Sequence, residues 1–247
     1  MPATPAWPPR SLPRLYVAEP LTAEAAVALD PRQAHYLGTV MRKGVGDELL
    51  LFDGRSGEWL ARIAEAGKKR MTLSVARLTR GAETLPDLTL AFAPVKRAQT
   101  DWLIEKATEL GVARLQPVIT ARTVVERVKF DRLEAIAIEA AEQCGRTVLP
   151  EIIDPAPLDR FLKMSGPHPL YFADEQGGEP VASAMRPGPA TIMIGPEGGF
   201  TDQERAMIRG ADHAVPISLG PRILRAETAA LAAVTAYMAL AGDWRGA

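Results

Sequence analysis

Along the first 80 residues the apolar positions recur mainly at every second residue. In RMTLSVARL, residues 70–78, Met71, Leu73 and Val75 alternate with Thr72, Ser74 and Ala76, the period of a half-buried strand. GDELLLFD and GEWLARIAEA read as two further strands, and GRSG and GKKR supply the tight turns. Ahead of them, Asp30-Pro31 offers an N-cap followed by proline at the first helical position. Ala34, Leu37, Val40 and Met41 then share one face of a short helix that ends near Arg42-Lys43-Gly44. Short strands joined by tight turns predict a small antiparallel β-barrel.

From about residue 87 the period changes. DLTLAFAPV reads as a strand, QTDWLIEKATELG as a helix closed by Gly111, ARLQPVIT as a strand, and DRLEAIAIEAAEQCG as a helix closed by Gly145. PLYFAD, ATIMIG and AVPISLG are further short strands, and helices follow the last two over about 202–209 and 226–241. This alternation predicts an α/β domain whose mainly parallel sheet carries helices on both faces. RGAETLPDL is the join between the halves, and the proline-rich N-terminus reads as extended or disordered chain.

The composition, 47% hydrophobic and 24% charged over 247 residues, is that of a soluble globular protein. A single cysteine, Cys144, excludes an internal disulfide framework, fits a reducing compartment and, with three scattered histidines, argues against a metal site. The N-terminus has no secretory apolar core, and TAALAAVTAYMALAG is too short for a membrane span, so a cytoplasmic protein is expected. Residues 1–80 hold 12 Lys+Arg against 8 Asp+Glu, and the remainder 17 against 22, a split of +4 and −5. That offset is within ordinary scatter, although a basic half also suits a grip on a polyanion.

Ligands of open parallel α/β sheets bind beyond the carboxyl ends of the strands. Three loops lie there: FADEQGGEP, GPEGGFT and SLGPRILRAETA. In TIMIGPEGGFTDQE, Glu197 sits inside a glycine turn, and Thr201-x-x-Glu204 forms a capping box that occupies the following helix end. A carboxylate there opposes a phosphate reading and suits a neutral or cationic ligand. In the third loop Arg222 and Arg225 open an Ala-rich, core-like helix with Glu227 in its first turn, either a surface pair or a functional one. No phosphate loop, dinucleotide fingerprint or hydrolase elbow is present.

IGPEGGFTDQE, LGPRILRAETAALAA, KATELGV and IAIEAAEQCGR, with RLYV and MRKGVGDELLLFDG upstream, together resemble the ribosomal RNA small subunit methyltransferase E family. The resemblance covers nearly the whole chain. It implies S-adenosylmethionine-dependent methylation of uridine N3 in 16S rRNA, within the small ribosomal subunit. It also implies an N-terminal extension over 1–13, a PUA-like RNA-binding barrel over 14–82, and a SPOUT methyltransferase domain over 87–247. That domain carries a C-terminal trefoil knot and forms homodimers. Carried over by residue, the cofactor meets Phe172 and Ala173; Ile194, Gly195, Glu197 and Gly198; and Leu219, Gly220, Ile223 and Leu224. Arg225 and Glu227 face the methyl-transfer site. RNA contacts fall to Arg14, Arg42, Lys43, Lys68, Lys69 and Arg70 in the barrel, and to Lys96, Lys106 and Arg146 beyond it. The competing class is a non-catalytic rRNA-binding or ribosome-assembly protein, whose RNA binding would be indifferent to the cofactor.

Overall fold

The computed structural model describes residues 12–67, 70–125 and 128–246. The chain divides into two compact units, one running to Thr84 and taking in Ala141–Leu149, the other comprising Leu85–Ala140 and the chain from Pro150 onward.

The first unit holds β1 (Arg14–Tyr16), β2 (Ala26–Ala28), α1 (Pro31–His35), β3 (Glu48–Phe52), β4 (Glu58–Ala66) and β5 (Met71–Arg80). Its five-stranded sheet runs β1-β3-β4-β5-β2. The β3–β4, β4–β5 and β5–β2 pairs are antiparallel, but β1 lies parallel to β3, with Arg14 opposite Leu50. The antiparallel expectation is thus corrected at one strand, and the long connection from Tyr16 to Glu48 is what allows it, since parallel neighbours need a crossover. Met71, Leu73 and Val75 are buried against Leu15, Leu37, Leu49, Leu51 and Ile63, as the alternation predicts.

α1 begins as expected: the Asp30 carboxylate accepts from the Arg32 and Gln33 amides, and the Gln33 side chain returns to the Asp30 amide. It then widens into a π-helical turn over Tyr36–Val40, where the Met41 amide reaches back to Tyr36. The wider turn keeps Leu37 buried and Met41 against the core but swings Val40 out to 62% exposure, so Val40 leaves the predicted face.

Arg14 is not an exposed cation. Its Nε donates to Glu58 at 2.7 Å, and its two terminal nitrogens donate to the carbonyls of Ala141 (2.6 Å), Glu142 (2.9 Å) and Arg146 (2.7 Å). Two of those carbonyls belong to the last turn of α3 (Phe130–Cys144), where helices leave acceptors unsatisfied. Arg80 joins the group, bonding Glu58 and the Gly145 carbonyl.

The second unit continues with β6 (Leu88–Phe92), α2 (Arg97–Glu109), β7 (Arg114–Ile119), α3, β8 (Glu151–Ile152), β9 (Ala156–Pro157) and α4 (Leu158–Met164). It ends with β10 (Leu170–Ala173), β11 (Glu179–Pro180), α5 (Val181–Ala184), β12 (Ala190–Ile194), α6 (Asp202–Arg209), β13 (Ala214–Ser218) and α7 (Ala226–Leu240). The sheet order is β11-β13-β10-β12-β6-β7-β8, with every neighbouring pair parallel. One face packs Tyr171, Ile192, Ile194 and Ile217 against α2 and α7; the other packs Phe172, Met193, Phe161 and Ile208 with α4 and α6. Burial on both faces explains why these strands read as continuous apolar runs. Among the described residues no helix is long and apolar enough to cross a membrane.

Burial would raise the Glu58 pKa, but hydrogen bonds from Arg80 and Arg14 outweigh it and leave it lowered. A lowered carboxylate pKa stabilises the fold above its unfolded value, about 4.3, and the stabilisation is lost as pH falls through the lowered value. Glu58→Ala, which strands two arginines, is expected to cost about 3 kcal/mol at neutral pH. Urea melts of both proteins from neutral to acid pH check this; a gap that does not narrow on acidification contradicts the account.

Candidate functional site

Parallel pairing brings three strand ends to one edge. Phe172 is opposite Met193, and Ala173 opposite Ile217, so Ala173, Ile194-Gly195 and Ser218-Leu219-Gly220 emerge side by side. The alternation of the strands then sorts the expected cofactor residues by face. Ala173, Ile194, Leu219 and Leu224 border the core on the α2/α7 face. Phe172 does not: its ring is fully buried on the opposite face, edge-on to Phe200 with centroids 6.4 Å apart. Only the Phe172 backbone faces the edge where a ligand would lie, a correction that strand alternation itself dictates.

On the same edge a cleft of about 570 Å³ is lined by Pro180, Val181, Ala182, Ser218, Leu219, Gly220 and Pro221. Its size falls in the range of small-molecule sites, roughly 300–1,000 Å³. Its walls are mainly apolar, with Ser218 the polar residue of the lining and no basic residue in it. Leu219 and Gly220 line this cleft, whereas Ile223, at 90% exposure, projects into solvent.

The turn after β12 is held from several sides. The Gly199 amide donates to the Pro196 carbonyl at 2.8 Å, and Gly199 has φ +68, a conformation that favours glycine. A Cβ on Gly195 would stand 2.9 Å from the Phe200 ring, too close for any side chain there. Glu197 is exposed at the tip, and Gly198 beside it is bonded through its carbonyl by Arg122 Nη1 at 2.5 Å. Thr201 and Glu204 form the predicted capping box. Glu204 also does what the sequence did not disclose: its Oε1 accepts the Ala121 amide at 2.6 Å. The loop after β7 is thereby tied to α6 through Ala121 and to the loop after β12 through Arg122.

The loop after β10 is fixed by Asp174, whose side chain is wholly buried. Asp174 accepts Arg205 Nε at 2.9 Å, Arg209 Nε at 3.0 Å and Nη2 at 2.7 Å, and the Gln176 amide at 3.0 Å. Arg205 also pairs with Glu175, and Arg209 donates to the Gly177 carbonyl at 2.8 Å. Burial would raise the Asp174 pKa, but the Gln176 amide and the two guanidiniums reverse it, so the group stays ionised. None of Asp174, Arg205, Arg209 or Arg122 was singled out by the sequence, because their partners lie 30 or more positions away.

Arg225 is the N-cap residue of α7 and is exposed. Glu227, in the first turn of α7, is partly buried, and its Oε2 is out of solvent with no hydrogen-bond partner among the described residues. A carboxylate oxygen left without a donor is costly unless something else supplies one. Of the residues expected to meet RNA, Arg42, Arg70 and Lys96 are exposed and Lys43 is partly so. Lys68 and Lys69 lie outside the described residues. Three expectations are withdrawn. Arg14 is committed to Glu58 and helix carbonyls, and Arg146 is 4% exposed with its Nε on the Val148 carbonyl at 2.9 Å. Lys106 donates to Glu105 and Glu109, each at 2.7 Å; these bonds raise its pKa, so it stays an ammonium whose charge is balanced by the two carboxylates.

Residues 83–238 match the RNA methyltransferase domain family, and residues 29–76 match the RNA methyltransferase PUA domain. The chain is 34% identical to ribosomal RNA small subunit methyltransferase E of Rickettsia conorii, over 90% of this chain and 93% of that one. It is 34% identical to the enzyme of the same name from Synechocystis, covering 92% and 77%. Among solved structures, ribosomal RNA small subunit methyltransferase E from Neisseria gonorrhoeae, bound to S-adenosylmethionine, superposes with TM-score 0.87 at 32% identity, covering 94% and 99%. A methyltransferase from Legionella pneumophila with the same bound cofactor gives TM-score 0.87 at 32% identity, covering 95% and 99%.

The Arg122 bond to Gly198 is exposed and weaker than a buried charged hydrogen bond, so its loss is worth about 1 kcal/mol. Arg122→Ala is expected to speed amide exchange at Gly198 and Gly199 about fivefold while leaving the melting temperature nearly unchanged. Exchange rates identical to wild type at these two amides would remove Arg122 from the turn's support.

Proposed function

The chain belongs to the ribosomal RNA small subunit methyltransferase E family, and from that premise we propose that it methylates small-subunit rRNA with S-adenosylmethionine as donor. The observation that carries the assignment is the cleft lined by Leu219 and Gly220 at the carboxyl end of β13, the strand that leads into α7 and Glu227. The cleft suits this cofactor: apolar walls and backbone groups match an adenosine, and the lack of basic lining residues matches a ligand with no phosphate. When bound, S-adenosylmethionine supplies an electrophilic methyl group on a sulfonium. Ala173, Ile194, Gly195, Leu219, Gly220 and Leu224 are the proposed cofactor-contacting residues, with Phe172 contributing backbone alone; Glu197 and Gly198, at the exposed tip of the turn, border them.

The proposed acceptor is N3 of a uridine in 16S rRNA. N3 bears a proton and is a poor nucleophile until the proton leaves, so the chain must take the proton and stabilise the charge spread over O2 and O4. Arg225, exposed at the helix mouth, supplies the positive charge for those oxygens. Glu227 Oε2 accepts the proton. Among the described residues Glu227 makes no ion pair with Arg225, which favours the proton-accepting role over an orienting one. The acceptor must be unstacked for its Watson–Crick edge to be reached. Arg42, Lys43 and Arg70 in the PUA-like unit, with Lys96 in the other, are the proposed phosphate contacts.

Two finer features belong to the same reading. The C-terminal segment is proposed to form a trefoil knot, supported by the insertion of β12 between β6 and β10 with β13 beyond them. The active form is proposed to be a homodimer, supported by Ile223, an apolar side chain at 90% exposure two residues from Arg225.

Ala182 lines the cleft from an exposed position, so Ala182→Glu should reduce S-adenosylmethionine affinity more than tenfold in calorimetry without lowering the melting temperature. Arg225→Ala should bind the cofactor normally and lose about 10²–10³ in kcat on small ribosomal subunits; an unaltered kcat takes Arg225 out of the chemistry. For the dimer, sedimentation of Ile223→Asp should show dissociation at concentrations where wild type is dimeric. A wild type that sediments as a monomer contradicts the dimer.

A further inference from the structure

A second cavity, of about 190 Å³, opens on the sheet face that carries α2 and α7, remote from the cleft in the strand order. It is lined by Pro94 and Val95 beyond β6, Thr100 on α2, and Val125, Val128 and Leu133 leading into α3, with Arg97 and Lys129 at its rim. The lining is predominantly apolar. Arg97 and Lys129 are exposed, and neither has an ion-pair partner among the described residues. Asp101, also at the rim, is already engaged by both nitrogens of the Arg132 fork, so its charge is matched. Lys96, next to Arg97, is exposed as well.

Resting on the methyltransferase reading, we propose that this cavity takes one unstacked nucleobase of the RNA substrate, a neighbour of the methylated nucleotide, with the adjoining phosphates on Arg97 and Lys129. Size supports a single ring: the space equals about six water volumes of roughly 30 Å³ each and is below the roughly 300 Å³ at which cofactor-sized pockets begin. Charge complementarity supports RNA: an apolar slot flanked by two cations without an ion-pair partner among the described residues pairs a base-binding surface with phosphate contacts, the combination used for single strands. Placement sets it apart from the cleft: from β13, which leads into the cleft, to β6, which leads into this cavity, is three strand intervals, about 14 Å at roughly 4.8 Å each. The turn after β12 lies between the two, next to the cavity's own strand, where the Ala93 amide donates to the Ile194 carbonyl at 3.0 Å. A base held here therefore flanks the cofactor edge. α7, with Arg225 and Glu227 at its mouth, packs beside α2 on this same face, so an RNA strand spanning cleft and cavity crosses the proposed chemistry.

The test compares two single-stranded probes of about nine nucleotides, an oligouridylate and a wholly abasic strand of equal length, on the full chain. Val125→Trp, which fills the cavity, should weaken oligouridylate binding about tenfold and leave abasic binding unchanged. Replacing Arg97 and Lys129 by glutamine should weaken both probes and lower the salt slope by about 2. An oligouridylate affinity unaffected by Val125→Trp, or an equal loss on both probes, overturns the proposal. Ultraviolet crosslinking of a 4-thiouridine strand to the wild-type protein tests it independently of how the variants fold. Adducts at residues 94–101, 125 or 128–133 support it, and adducts confined to other described segments overturn it. Calorimetry with S-adenosylmethionine on the same proteins keeps the two readings apart. Base binding in the cavity without cofactor binding would sink the methyl-transfer assignment alone.

Discussion

Asp174 stands at the carboxyl end of β10 with its side chain wholly out of solvent, and four hydrogen-bond donors close on it. Two of the donating groups are guanidiniums from α6, the helix that follows the glycine turn after β12. A buried carboxylate so matched cannot be released without leaving Arg205 stranded in turn, itself only 7% exposed. The loop after β10 and the helix after β12 are therefore fixed to one another, and the glycine turn between strand and helix has little freedom. The proposed cofactor cleft, the exposed Glu197 tip and the approach to Arg225 all depend on that fixed geometry.

Around this anchor the site is assembled by division of labour. Glycines at 195 and 199 let the backbone fold tightly against Phe200 and Glu175. Glu204 serves two loops at once, capping its own helix through Thr201 and holding Ala121 across the sheet edge. The charged groups that stabilise the site are paired; of those proposed to act on substrate, Arg225 is exposed, and one Glu227 oxygen is buried without a donor among the described residues. Such an unsatisfied acceptor is what a proton-accepting role requires, and it is uncommon where a residue serves structure alone.

Local chemistry was legible in the sequence. The N-cap at Asp30, the capping box at Thr201/Glu204 and the helix ends at Gly111 and Gly145 follow from rules that act over three or four residues; Gln33 closing a second capping box on Asp30 was not read. The strands of the second unit and its parallel sheet follow from apolar runs alternating with helical periods. What the sequence could not disclose is long-range pairing. Nothing near Arg14 announces Glu58 or the carbonyls of α3, so a buried arginine reads as a surface cation. Lys106 was misread differently, since its charge-balancing partners Glu105 and Glu109 are adjacent on the helix and were within reach of a charge-pair argument. Phe172 was also within reach: beside Ala173 in a strand, it must point to the other face.

The methyl donor is proposed to lie along the carboxyl edge of β10, β12 and β13, on the face shared with α7. Hydrogen–deuterium exchange of the full chain with and without S-adenosylmethionine is the decisive measurement. Cofactor-dependent protection is expected at amides within 195–199 and 219–224, with amides at 97–101 unchanged. Protection that spares 195–199 and 219–224 and appears elsewhere would contradict it.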